Sequence, residues 1–350
     1  TLNFYVFGDP LLLFTVFFPR EQIESTYQFF ILLRLYLAGV AFSAYCFYHK
    51  RDDFSILVGS LVYVFCGYAL FGVIRHPHFA TPMIYLPLLL MAVDKLLKEK
   101  KNYFFSFIVF LIALTNFYYL YKLTIIAIVY GSIRFYQIYQ EKWKKEFLSI
   151  LIRVAFYYLL GVSMSAVILL PSIIGYLKNP RAGSLAGLTD SLLHYDFSYY
   201  ENVLFGFLTP MNNSDYWTVL NFASIVPIAI VLLFLEKKKH GILKIGFLMC
   251  LMGICIPYIG RMMNGFGYVT NRWVFAFSFV LAIIVVWMLP SMQKITFRQI
   301  NVISAILILT MIYAMINIKY KNIYTAVGVG AILITSGGLL LAKKLSKVII

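Results

Sequence analysis

The chain has 350 residues, of which 62% are hydrophobic, 18% aromatic and only 13% charged, with a mean hydropathy of +0.84. That composition excludes a soluble globular domain, and its apolar runs of about 17 to 25 residues are long enough to cross a hydrocarbon core. The net charge of +16 does not point to nucleic acid, because the cations sit in short clusters between apolar runs, which is a topology signal.

The apolar runs lack the two-residue alternation of barrel strands, so the fold class is an all-α polytopic membrane protein. The chain opens at Thr1 with neither a basic leader nor an initial span, and it reads as a piece of something longer. Residues 1–26 are aromatic and loop-like. Within them Pro10 to Phe18 is too short to span, and Asp9 as N-cap with Pro10 at the first helical position suggests an interfacial or re-entrant helix.

Candidate spans follow at Tyr27 to Tyr48, Phe54 to Ile74, Phe79 to Val93, Tyr103 to Tyr119, Leu123 to Tyr139, Leu151 to Leu177, Val219 to Leu235, Ile242 to Ile259, Trp273 to Leu289, Ile300 to Ile316 and Ile323 to Ala342, or about eleven. The third is short and interrupted by proline, and only Leu120-Tyr121-Lys122 separates the fourth from the fifth. They form a first transmembrane group at 27–177 and a second at 219–350, around a long loop at 178–218. Loops rich in cations (Lys50 and Arg51; Lys95, Lys98, Lys100 and Lys101; Lys142, Lys144 and Lys145; Lys237, Lys238 and Lys239; Lys294 and Arg298; Lys343, Lys344 and Lys347) alternate with poorer ones. By the positive-inside rule the N-terminus of the chain lies outside and the C-terminus inside. The polar stretches that do not serve topology then converge on the outer face.

Within those stretches Arg75-His76-Pro77-His78 packs a fixed cation and two titratable rings between apolar runs. It is either an ordinary proline-rich helix boundary or a site kept for chemistry. Two histidines alone do not make a metal site, so none is expected; general acid work or phosphate contact beside Arg75 fits better. Arg34, inside the first span, needs a carboxylate or lipid phosphate, or must snorkel. Asp9 is a cap or an acid. Asn116 and Lys122 flank the Tyr118-Tyr119 pair. Arg261, Asn271, Arg272 and Trp273 bracket a glycine-rich turn that suits an anionic lipid head group, or else an aromatic belt with anchoring cations. In the long loop the acids Asp190, Asp196, Glu201 and Asp215, with His194, are solvated surface residues or weak catalytic candidates. Asn212-Asn213-Ser214 has the form of a glycosylation acceptor. Cys250 and Cys255 lack zinc-site spacing.

Asn3-Phe4-Tyr5 with Gly8-Asp9-Pro10, Arg75-His76-Pro77-His78-Phe79 running into Leu86-Pro87-Leu88, Thr115-Asn116-Phe117-Tyr118-Tyr119, Leu169-Leu170-Pro171 and Asn271-Arg272-Trp273 occur in that order along the chain. Together they resemble the YfhO family of bacterial membrane proteins, to about Leu289. The resemblance implies a GT-C type glycosyltransferase with a polyprenyl-phosphate sugar as donor and an envelope polymer such as teichoic acid as acceptor. No cofactor is expected beside the lipid-linked donor, and the placement of the cations already speaks against a nucleic-acid partner. Such enzymes carry a catalytic acid in the first outer loop, the beginning of which is not in this chain, and members continue past the bundle. On this reading Asp9, His76 and His78 are the catalytic candidates. Arg34, Arg75, Asn116, Lys122, Arg261, Asn271, Arg272 and Trp273 are the donor-binding candidates. A transporter or flippase of an anionic or lipid-linked substrate is the alternative; it predicts mid-membrane polar residues and internal repeats, and no repeat is evident. A non-catalytic scaffold in envelope assembly is a third.

Overall fold

The computed structural model describes residues 8–99, 102–178, 193–207, 215–236, 239–316 and 323–349. Among them every regular element is helical. They are α1 Pro10–Leu13, α2 Ile23–Tyr48, α3 Asp53–Val64, α4 Thr81–Lys98, α5 Tyr103–Thr115, α6 Phe117–Tyr139, α7 Trp143–Met164 and α8 Ala166–Leu177, then α9 Phe197–Gly206, α10 Ile225–Leu235, α11 Gly241–Cys255, α12 Pro257–Met262, α13 Val274–Met292, α14 Phe297–Ile316 and α15 Ile323–Ile349. Each expected span contains helix, but Phe54 to Ile74 is interrupted at Phe65-Cys66, Leu151 to Leu177 at Ser165 and Ile242 to Ile259 at Ile256, and Val219 to Leu235 is helical only from Ile225. Among the described residues four stretches are long and apolar enough to cross a membrane, at Arg20–Tyr48, Pro77–Lys98, Phe117–Met164 and Val274–Met292, and α3, α5, α10 and α11 are shorter apolar helices of 10–17 residues.

Two further differences from expectation bear on the polar residues. The third span is not broken: α4 runs unbroken through Pro87, a proline tolerated in a helix packed on all sides by neighbours. The break between the fourth and fifth spans falls at Asn116 rather than at Leu120 to Lys122. Asn116 is extended (φ −164°, ψ 107°), and its side-chain oxygen accepts from the Tyr118 and Tyr119 amides at 3.0 and 3.3 Å. That cap satisfies two orphan donors and starts α6 early, so Tyr118, Tyr119 and Lys122 stand on its first turns.

The chain forms two compact units, each assembled from three separate segments: 1–48, 73–190 and 261–269 in the first, 49–72, 191–260 and 270–350 in the second. Each has one helix enclosed by the rest. In the first unit it is α4, packed by α2, α5 and α6, and in the second it is α13, packed by α3, α10 and α11. The apolar windows of these two spans are each 78% buried, as expected of a helix with neighbours on every side.

Contacts along the helices set their directions. Arg34 meets Thr81 and Lys98 meets Tyr48, so α2 and α4 run parallel. Phe79 meets Tyr119 and Leu97 meets Tyr139, so α4 and α6 are parallel as well. Arg153 reaches the Glu99 carbonyl and Ser106 donates to the Tyr157 carbonyl, so α5 and α7 are parallel. In the second unit α13 runs antiparallel to α3, through Tyr63 with Phe279 and Arg51 over Trp287, and to α11, through Phe247 with Phe277 and His240 with Trp287. Within the first unit, parallel α4 and α6 require α5 to return between them, and parallel α5 and α7 require the same of α6. This is the alternation the lysine-rich loops implied. In the first unit Asp9, His76 and Asn116 therefore share one end, and Lys98, Tyr139 and Trp143 share the other.

Candidate functional site

In the first unit the polar cluster starts from Asp9. Its Oδ1 accepts the Leu11 amide at 3.0 Å as N-cap of α1, with Pro10 at the first helical position. Its Oδ2 lies 2.8 Å from Arg34 Nη2, with both side chains enclosed. The approach lies off the hydrogen-bond axis, so this is a charge contact, and Arg34 Nε has no hydrogen-bond partner among the described residues. Arg34 Nη1 donates to the Pro77 carbonyl and to Thr81 Oγ1, both at 3.4 Å. Arg34 thus does not snorkel: it ties the α1 loop to the start of α4. Gly8 makes the approach feasible, since a Cβ there would stand 1.9 Å from the Leu114 carbonyl oxygen.

Pro77–Phe79 forms a tight 3₁₀ turn. It brings the His76 and His78 rings to 5.6 Å, and both rings pack on Phe79, at 5.2 and 4.9 Å. Arg75 and His76 are exposed and His78 is half-buried. Phe79 leads in turn to Tyr119, and Lys122, wholly buried, holds its Nζ 3.7 Å from the Tyr118 ring centre. Tyr118 donates to Asn264 Oδ1 at 2.8 Å and Tyr121 to the Met262 carbonyl at 2.8 Å, which fixes the glycine-rich turn to α6. Within that turn Arg261 Nε donates to the Phe266 carbonyl, and Gly265 and Phe266 adopt φ of +63° and +59°. Asp9, Arg34, Arg75, His76, His78, Asn116, Lys122 and Arg261 therefore belong to one linked end of one unit. Asn116 works there as a cap.

Asn271, Arg272 and Trp273 fall in the second unit. Asn271 is fully buried, and its Nδ2 faces Thr218 Oγ1 at 2.9 Å, Tyr199 Oη at 3.0 Å and Tyr195 Oη at 3.4 Å. Its Oδ1 accepts Trp273 Nε1 at 3.2 Å. Trp273 is accordingly a buried residue rather than part of an interfacial belt, and its ring occupies room left by Gly253, where a Cβ would meet it at 2.7 Å. Tyr199 also donates to the Ile254 carbonyl and lies 3.9 Å centre to centre from Tyr195. Burial pushes the Tyr195 phenol up to about 12 and raises that of Tyr199 further. Arg272 is half-buried, with its guanidinium 4.9 Å from the Trp217 ring centre.

A second ion pair forms between a buried acid and a half-buried arginine, neither of which is among the candidates above. Asp94, near the lysine-rich end of α4, accepts from Arg134 Nε at 2.6 Å and Tyr130 Oη at 2.7 Å, and Tyr45 Oη joins Tyr130 at 3.0 Å. A lone acid within an apolar span was the signal available. Of the long-loop acids, Asp215 accepts from Asn202 and Glu201 from Tyr313. Asp190 and the Asn212-Asn213-Ser214 acceptor lie outside the described residues, as do Asn3, Phe4 and Tyr5. Among the described residues no three His, Cys, Asp or Glu side chains stand close enough to hold a metal ion.

Neither the curated proteins nor the solved structures contain a match to this chain. The family described as bacterial membrane protein YfhO matches residues 1–349, nearly the whole length. With a helical fold, spans able to cross a membrane and that match, the chain belongs to the YfhO family and is a membrane protein.

Proposed function

We propose that this protein is a GT-C type membrane glycosyltransferase that moves a sugar from a polyprenyl-phosphate donor to a cell-envelope polymer such as teichoic acid. The observation that carries the reading is the gathering of Asp9, Arg34, Arg75, His76, His78 and Lys122 at one end of the first unit, in a chain with only 13% charged residues. Charged groups inside a membrane protein are costly and tend to mark function. Cationic groups of this kind suit a phosphate-bearing head group. We take this end to be the outer one, because the other end carries the lysines.

In this scheme the acceptor hydroxyl gives its proton to the neutral imidazole of His76 or His78 and attacks the anomeric carbon. The carbon–oxygen bond to the donor phosphate breaks, its electrons stay with the departing phosphate, and Arg75 meets the charge that develops there. Arg34 and Lys122 supply positive potential from behind the turn. Both oxygens of Asp9 are already engaged, so its part is to hold Arg34 in place. Asn271 and Trp273 hold the segment that carries Arg272, and Arg261 holds the glycine-rich turn.

The test is mass spectrometry of lipids copurifying with the wild-type protein and with Arg75→Ala, combined with an assay of sugar transfer. A polyprenyl-phosphate sugar enriched on the wild type and depleted on the variant, with transfer reduced by about 100-fold or more, is the expected result. If an anionic lipid-linked substrate crosses vesicles without any transfer, the transporter reading replaces this one. Bulk phospholipid alone on both proteins removes the donor site.

A further inference from the structure

Helices α4, α5, α6 and α7 of the first unit enclose a cleft of about 200 Å³. Its walls are apolar, with Val93, Phe105, Ile128, Phe135, Phe147 and Leu151 among them, and Ile128 on α6 with Phe147 and Leu151 on α7 are exposed, so the cleft opens sideways. Three hydroxyls line it, and each is already engaged. Thr124 donates to the Leu120 carbonyl at 2.7 Å and pairs with Tyr158 at 2.8 Å, while Ser132 donates to the Ile128 carbonyl at 2.8 Å. No hydroxyl there awaits a polar ligand, and the lining favours a hydrocarbon occupant over water or sugar.

The α7 wall begins at Phe147, directly after the exposed Lys142, Lys144 and Lys145. At this end of the unit Lys95, Lys98, Arg134, Lys142, Lys144, Lys145 and Arg153 outnumber Asp94, Glu99, Glu141 and Glu146. Trp143, Tyr136 and Tyr103 are exposed at the same level, as aromatic side chains are at a membrane interface. From Phe147 to Tyr158 the wall runs about 16 Å at 1.5 Å per residue, close to half of a hydrocarbon core about 30 Å thick. The depth fits an acyl chain of one leaflet, with its head group at the lysines.

We propose that this cleft holds an acyl chain of an anionic glycerophospholipid whose phosphate is met by Lys142, Lys144 and Lys145. Basic pockets between membrane helices bind such head groups. The Asp9 and His76 cluster occupies the opposite end of the same helices, so this lipid is distinct from the proposed donor, and the inference stands without the transferase reading. Gly131 offers the means to test it: a Cβ there meets only Val93, at 3.5 Å, so a larger side chain fills the cleft instead of striking backbone.

The experiment is native mass spectrometry of the delipidated full chain, titrated with phosphatidylglycerol and with phosphatidylcholine of the same acyl chains. The wild type is expected to prefer phosphatidylglycerol by about tenfold, and the triple substitution Lys142→Gln, Lys144→Gln, Lys145→Gln to bring that ratio to about one. Gly131→Leu, and Ala127→Leu as a second filling variant should the first fail to fold, are expected to reduce binding of both lipids by about tenfold while the elution volume stays unchanged. Equal binding of the two lipids by the wild type overturns the proposal. So does wild-type binding by the folded filling variants, or displacement of phosphatidylglycerol by an equal concentration of a polyprenyl phosphate.

Discussion

Asp9 and Arg34 are each easy to notice in the sequence, as a carboxylate and a guanidinium among apolar residues, yet nothing local relates them. Only the folding of the α1 loop against α2 brings their side chains to 2.8 Å. Asp9→Asn leaves a buried cation facing an amide, and the loss expected from breaking such a pair is about 3–5 kcal/mol. Thermal unfolding in detergent is expected to show Asp9→Asn as less stable than the double variant Asp9→Asn, Arg34→Met, in which no charge is left behind; the reverse order refutes the pairing. A second residue-scale expectation concerns pH. The folded phenols of Tyr195 and Tyr199 ionise above the ordinary value of 10, Tyr195 near 12. Their neutral forms therefore contribute stability that is complete below pH 10 and lost as pH rises toward and beyond 12. Absorbance at the tyrosinate band, followed with unfolding from pH 9 to 12, should show late ionisation coupled to loss of structure, and Tyr199→Phe should diminish it. This pair was not legible beforehand, because tyrosines in an outer loop read as solvated until Asn271 is seen to reach them.

At the scale of the element, hydropathy marked the helices well and their ends poorly. A run of apolar residues announces that a helix exists, but Asn116 ended one and began another by capturing two amides, an effect that a hydropathy average does not register. Small residues were equally silent. Gly161 on α7 lies so close to α5 that a Cβ would stand 2.5 Å from the Ser106 carbonyl oxygen, whereas Gly330 on α15 faces open space. Two glycine-to-alanine substitutions should therefore differ in sign. Gly161→Ala is expected to destabilise by about 1–3 kcal/mol through overpacking, and Gly330→Ala to be neutral or to stabilise by up to about 1 kcal/mol through helix propensity. Equal midpoints for the two variants would argue against the close α5 and α7 packing.

Across the whole sequence loop charge alternates, and within each unit neighbouring helices take the directions that a chain crossing and returning requires. If the lysine-rich ends face the cytoplasm, a single cysteine placed at Arg75 in a background without Cys46, Cys66, Cys250 and Cys255 will react with an impermeant maleimide on intact cells. A cysteine at Lys144 will react only after lysis. The opposite pattern inverts the orientation and moves the proposed chemistry to the other face. What loop charge did not foretell is that the compact units ignore chain order: α3 belongs with α13. Tyr63 must wait for Phe279, and at about 5–20 residues per second that interval is on the order of 10–40 s of synthesis. For that time α3 is in the cell without the helix that covers it, so the young protein depends on whatever shelters a half-built bundle, and slowed translation between the two helices should cost yield before it costs activity.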